Sequence, residues 1–262
     1  MFFSKNQHVS EELALPSWYP IIWEEFVYWK SKFWLYLTTY MLSPMIFLLS
    51  FGFGVGQRLK MMMPGGVSYL EFLIPGVVAL ALFNNGVTSV IIRMFYCRLF
   101  YYSFEAYQLA PLSTFSIWFG YVLVGMLRGL ISGLIVLGMI FIFIPVLSFN
   151  WGFILSMFLV SFCFGAMGVL IGLYLRSFDD HALVSEFIIV PMTFLSGTLI
   201  PVERLPFVLQ PIVWLFPLTP ATQLLRFSFA DKGFSLEMAS IVLGWTLLFF
   251  FLGWFKLTKL ND

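Results

Sequence analysis

The sequence predicts an all-α polytopic membrane protein, and three observations carry that reading. Of its 262 residues 61% are hydrophobic and only 10% charged, whereas soluble domains run to about a quarter charged. Mean hydropathy is +0.95, and the apolar residues fall in long uncharged runs. Backbone polar groups in hydrocarbon must be satisfied internally, so such runs read as helices. About 20 residues cross a core of roughly 30 Å.

Six spans are expected, at about 33–57, 72–95, 116–144, 151–175, 182–202 and 236–256. Arg58 and Lys60 end the first, Glu71 and Arg93 bracket the second, and Arg176, Asp179 and Asp180 follow the fourth. The third contains one cation, Arg128. Residues 203–230 are apolar too, but Pro206, Pro211, Pro217 and Pro220 would break a single helix. A re-entrant pair of short helices on the outer side, before the last span, fits better. Lysine and arginine placement favours both termini inside: Lys5, Lys30, Lys32, Arg93, Arg98, Arg176, Lys256 and Lys259 against Arg58, Lys60, Arg204, Arg226 and Lys232.

The chain thus divides into a cytoplasmic N-terminus, 1–32, and a six-helix transmembrane domain, 33–262. Met1–Pro16 is not expected to be a signal peptide, having no apolar run and carrying Glu11 and Glu12. Residues 16–32 mix Trp18, Tyr19, Trp23, Tyr28 and Trp29 with Glu24, Glu25, Lys30 and Lys32. Such amphipathic aromatics settle at headgroup level, so an N-terminal interfacial helix is expected.

Several chemistries are excluded. A net charge of +1 makes no electrostatic case for nucleic acid. Cys97 and Cys163 have no disulfide or metal-ligand spacing, and His8 and His181 are isolated. No GxxxxGK[ST], HExxH or GxSxG is present; Gly52–Gly56 reads as close helix packing. Asp179-Asp180-His181 reads as a solvated turn, not a metal site. No catalytic residue, metal site or cofactor is expected in this chain.

Three features remain. The loop 96–113 holds a short amphipathic segment closed at Ala110-Pro111, with Phe104, Glu105, Gln108 and Leu109 placed either to seat in a cytoplasmic partner or to form an interfacial loop. Arg128 either lines a pathway or snorkels to the interface, with Glu186 as a possible counter-ion. Tyr96, Tyr101 and Tyr102, with neighbouring phenylalanines, form either a belt or a gate at the cytoplasmic mouth.

This order of elements resembles the permease subunits of ABC-2 type (type V) exporters, particularly the nodulation-factor, O-antigen and drug-exporter branch. The most specific match is Pro191 to Arg226, with Phe194, Leu195, Ser196, Gly197, Pro201, Leu205, Pro206, Pro217, Leu218 and Thr219 at the family's positions. Tyr69, Phe72, Pro75 and Gly76 resemble the family's start of span two, and Glu105, Leu109, Pro111 and Leu112 its coupling segment, with Ser103-Phe104 replacing the usual glycine and threonine.

The resemblance implies two permease copies over two cytoplasmic ABC ATPase subunits, which bind ATP and Mg. It implies export of a lipid-linked glycan, polysaccharide, lipid or hydrophobic small molecule through the inner membrane. Phe104, Glu105, Gln108, Leu109, Pro111, Glu24 and Glu25 would couple to the ATPase. Arg128, Tyr96, Tyr101 and Tyr102 would line the path, and Ser196, Gly197, Pro201, Pro206, Pro217 and Arg226 would form an outer re-entrant gate. The competing readings are a passive channel or scaffold, which needs no docking loop, and an integral-membrane enzyme, which needs converging polar groups.

Overall fold

A computed structural model describes residues 16–55, 68–100, 106–107, 109–110, 112–143, 150–229 and 233–261. The described residues hold helices and connections and no strand. Helix α1 (Tyr19–Ser31) starts with Pro20 in its first turn, where no N–H is needed. Helix α2 (Phe33–Phe47) contains Pro44 and widens directly after it into π-helix over Leu48–Val55. A proline removes a ladder bond, and a widened turn is one way of accommodating that loss.

Helix α3 (Tyr69–Phe83) opens on a capping box between Ser68 and Glu71. It runs through a π turn, Asn84–Thr88, into α4 (Ser89–Leu99). Helices α5 (Thr114–Phe143) and α6 (Trp151–Tyr174) follow, the latter N-capped by Asn150, whose Oδ1 accepts from the Gly152 N–H at 3.3 Å. Helix α7 (Phe178–Val184) passes through a π turn, Ser185–Ile189, into α8 (Val190–Leu195). After the short α9 (Gln210–Trp214) and α10 (Leu218–Phe229) comes α11 (Leu236–Asn261).

Among the described residues five helical stretches are long and apolar enough to cross a membrane: Phe33–Gly52, Tyr69–Leu99, Thr114–Ile142, Trp151–Tyr174 and Leu236–Lys259. Tyr69–Leu99 is the most buried of the five and Phe33–Gly52 the least. Lipid tails are as apolar as leucine, so close backbone approach holds such helices together. Gly125 of α5 and Gly165 of α6 show this approach: a Cβ on Gly125 would lie 2.8 Å from the Gly165 Cα.

Two observations bear on the expected elements. The segment expected to span at 182–202 is helical only to Leu195, and Gly197 then turns the chain at φ +76°. Its helical run, entered through Asp179, Asp180 and Glu186, is not among the five long apolar helices. The expected interfacial helix α1 is also fixed to the bundle. Ile21 is buried against Gly120 of α5, where a Cβ would lie 2.8 Å from the Ile21 Cδ1.

Candidate functional site

Two polar constellations stand out in a chain so poor in charge. The first joins α1 to the bundle. Glu24 and Glu25 are adjacent on α1; Glu25 faces inward and Glu24 is half-buried beside it. Glu25 is 6% exposed; its Oε1 accepts from the Arg128 Nε at 2.6 Å and pairs also with the same guanidinium's Nη2. Arg93 of α4 pairs with Glu24 and reaches the Glu25 Oε2 at 4.0 Å from its Nε. Arg93 also stacks over Tyr28, and Arg128 over Tyr36, each 5.4 Å from the ring centre. An unpaired charge would be costly at this depth, and two carboxylates against two guanidiniums remove most of that cost.

The network continues into the loop between α4 and α5. The Tyr107 hydroxyl donates to the Glu24 Oε2 at 2.6 Å. Burial and that hydrogen bond raise the Tyr107 phenol above its ordinary pKa, so it stays a donor. Two residues on, the Leu109 side chain is 88% exposed. The loop therefore has one side chain anchored inward and an apolar one facing out.

The second constellation lies at the turn after α8. Arg226 of α10 donates from Nη2 to the Thr198 carbonyl at 2.9 Å and from Nε to the Phe72 carbonyl at 3.3 Å. Its guanidinium sits 3.6 Å over the Phe72 ring. The Tyr69 hydroxyl donates to the Leu199 carbonyl at 3.2 Å. Gly76 lets α3 approach this turn, since a Cβ there would meet the Thr198 carbonyl oxygen at 2.1 Å. Two motifs far apart in sequence, Tyr69–Gly76 and Ser196–Arg226, thus form one packed unit. Prolines within the second motif begin turns instead of interrupting one helix. Pro201 accepts from Arg204, Pro206 from Leu209 and Pro217 from Ala221 through their carbonyls.

A family model described as "ABC-2 type transporter" matches residues 18–230, which contain both constellations. The chain belongs to the ABC-2 type transporter family. It is similar to the inner membrane transport permease YadH of Escherichia coli K12, 29% identical over 79% of this chain and 81% of YadH. It is also similar to Nodulation protein J of Neorhizobium galegae, 28% identical over 81% of this chain and 82% of the relative. Nodulation protein J of Sinorhizobium fredii is 23% identical over 89% of this chain and 90% of its own length. As an ABC-2 permease the chain is the non-catalytic membrane subunit of an ABC transporter, a multi-pass inner-membrane protein working with an ATPase that carries the nucleotide site.

Within this permease, the residues expected to serve coupling separate. Leu109 faces outward, while Glu25 is enclosed by the subunit's own arginines and Glu24 is shared between Arg93 and Tyr107. Glu25 therefore offers no surface for direct docking. Phe104, Glu105, Gln108 and Pro111, like Tyr101 and Tyr102, lie outside the described residues. Arg128 takes its carboxylate from Glu25 and not from Glu186, which is exposed on the π turn after α7.

Tyr96 joins a ring cluster with Phe95 and Phe100, completed by Phe178 at the start of α7, whose ring centre is 4.9 Å from that of Phe95. Sequence alone gave Phe178 no role. Asp180 caps α7 through Ser177 and accepts from the Arg176 N–H at 2.8 Å, a structural duty. Arg98, also unassigned from sequence, donates to the Gly172 and Leu173 carbonyls at 3.0 and 2.8 Å and so caps the end of α6.

Proposed function

We propose that this ABC-2 permease is an exporter subunit with both termini cytoplasmic. A second copy and two ATPase subunits would complete the transporter. Its cargo would be a lipid-linked glycan, polysaccharide, lipid or hydrophobic small molecule. The observation that carries the reading is the loop 106–110, tied inward by Tyr107 to Glu24 and facing outward with Leu109. Such a loop can meet a cytoplasmic ATPase on one face and pull on α1, α4 and α5 with the other. Phe104, Glu105, Gln108, Leu109 and Pro111 would make the docking surface, while Glu24 and Glu25 act through Arg93 and Arg128 behind it. In this role Arg128 is a coupling residue rather than a cargo contact.

Six spans result if the helical run from α7 through α8 is a short crossing, with Ser196–Phe229 folded back on the outer side as a re-entrant cover. Ser196, Gly197, Pro201, Pro206, Pro217 and Arg226 then belong to a gate held against α3. ATP binding favours the closed ATPase dimer, and the spans shift toward whichever state that closure favours, by an amount set by differential binding energy. At the cytoplasmic mouth Tyr96, Tyr101 and Tyr102 would meet the cargo first.

The test is co-purification from the native membrane in mild detergent, with ATPase activity assayed on the eluate. An ATP-binding subunit that accompanies the wild-type chain and is lost with Glu105→Arg, or with residues 100–110 deleted, is the expected result. A chain that elutes alone in several mild detergents overturns the docking assignment.

A further inference from the structure

Phe178 is held at the end of α4, where the loop towards α5 begins. Its ring centre lies 4.9 Å from that of Phe95 and 5.6 Å from that of Phe100, and Phe100 directly follows α4. Arg98 of the same helix end donates to the Gly172 and Leu173 carbonyls of α6. The first turn of α7 is stiffened at this point. Ser177 and Asp180 form a capping box, and the Asp180 Oδ2 accepts from the N–H groups of Arg176 and Ser177 at 2.8 and 3.2 Å. A displacement of the end of α4 therefore meets a ring fixed on a rigid turn.

From Phe178 the helical run continues to Leu195, about 27 Å at the rise of a helix. The π turn does not break it, since the Val190 N–H still donates to the Ser185 carbonyl. No residue from Phe178 to Ile189 is buried, although Val184 and Ile189 lean partly on the core. The firm seats are at the two ends. At the far end Met192 and Thr193 are buried, the Ser196 N–H donates to the Met192 carbonyl at 3.2 Å, and the Thr198 hydroxyl donates to the Thr193 carbonyl at 2.9 Å. The Thr198 carbonyl in turn accepts from Arg226. The turn after α8 thus moves with α8. A rod seated at both ends and loose between them carries displacement from one end to the other.

We propose that Phe178 is a positioning residue of the transport cycle, passing motion of α4 and its loop through α7 and α8 to the turn at Ser196–Thr198. The inference rests on the coupling reading above, which places the loop against the ATPase and the turn on the outer side. It adds a second route to the ion pairs. Glu24, Glu25, Arg93 and Arg128 tie the loop to α1 and α5, whereas Phe178 ties it to the outer cover.

The test uses the permease–ATPase complex in nanodiscs, with bimane on one engineered cysteine at a time: Leu99→Cys at the end of α4, or Ile200→Cys on the turn after α8. Both positions are exposed, whereas Cys97 and Cys163 are buried. With Phe178 intact, ATP, Mg and vanadate are expected to shift the emission at both positions. Phe178→Ala is expected to keep the shift at Leu99 and lose it at Ile200, and Phe178→Tyr, which keeps the ring, to retain both. The Phe178 ring is 57% exposed, so its truncation leaves no buried cavity, and ATPase retained by the variant shows that the complex is assembled. A full shift at Ile200 in Phe178→Ala overturns the inference. So does loss of the shift at both positions, which makes Phe178 part of docking alone. With Phe178 intact, a shift at Leu99 and none at Ile200 overturns it too and leaves the coupling reading standing. No shift at either position, with the ATPase bound, removes the coupling reading and this inference with it.

Discussion

The Nε of Arg128 lies 2.6 Å from Oε1 of Glu25, a residue 103 positions earlier in the chain. This contact ties α1 to the middle of α5. Arg93 and Glu24 beside it join it in one charge network. Removing one member strands a charge among buried groups, and breaking a buried pair typically costs about 3–5 kcal/mol. Arg128→Met and Glu25→Gln are each expected to lower the melting temperature of the detergent-solubilised permease sharply. The double variant Glu25→Gln/Arg128→Met should recover much of the loss, because no charge is then left alone. Additive losses in this cycle would show that the two residues do not interact.

Tyr107→Phe isolates the link between the loop and α1. It removes the hydroxyl that donates to Glu24 and leaves the ring in place. The site is only partly buried, so the expected loss of stability is modest, about 1 kcal/mol. On the coupling proposed above, the variant still co-purifies with the ATPase but moves less cargo per ATP hydrolysed. Unchanged stoichiometry of transport in reconstituted vesicles would remove Tyr107 from the coupling path.

How much of this was legible in sequence depends on whether a signal was local. Long apolar runs declared an all-helical membrane protein, because hydropathy accumulates over neighbouring residues. The Pro191–Arg226 and Tyr69–Gly76 motifs declared the family, although nothing in either said that Arg226 reaches the Phe72 carbonyl. Glu25 looked like the polar face of a surface helix, since its arginine lies beyond three intervening helices, α2, α3 and α4, in the chain. Glu186 looked like a counter-ion on sequence position alone, and the turn it occupies points it outward. The π turn at Asn84 had no local signature, as widened turns follow from packing and not from a residue type. The end of the helical run expected at 182–202 was hidden for a related reason: hydropathy does not register a left-handed glycine, and Gly197 turns the chain just after Leu195.

The turn after α8, packed on α3, makes a sharp steric prediction. Gly76→Ala places a methyl 2.1 Å from the Thr198 carbonyl oxygen, a backbone atom that cannot turn aside. The turn must move off α3, which also breaks the Arg226 contact to that carbonyl. Overpacking of this kind costs about 1–3 kcal/mol. Gly197→Ala should lose a similar amount, from about 1–2 kcal/mol of left-handed strain and a 2.6 Å approach to the Val202 Cγ2. Limited proteolysis between Ser196 and Phe229 is expected to accelerate in both variants. Unaltered cleavage with an unaltered melting temperature would mean that the turn is not seated on α3.

Leu109 gives the most direct separation of docking from folding. At 88% exposure its side chain contributes almost nothing to the subunit's own packing, so Leu109→Ala should leave the melting temperature of the isolated permease unchanged. An exposed leucine beside an anchored tyrosine is a feature of a surface that becomes covered, and truncating a central apolar anchor in an interface commonly costs over 1 kcal/mol of binding. The expected outcome is a loss of about tenfold in affinity for the ATPase, read as dissociation of the complex on dilution. Leu109→Met, which keeps an apolar side chain of similar volume, should hold the ATPase nearly as well as wild type. Loss of stability in Leu109→Ala would place the leucine inside the subunit's fold, and undiminished ATPase binding would move the docking surface elsewhere.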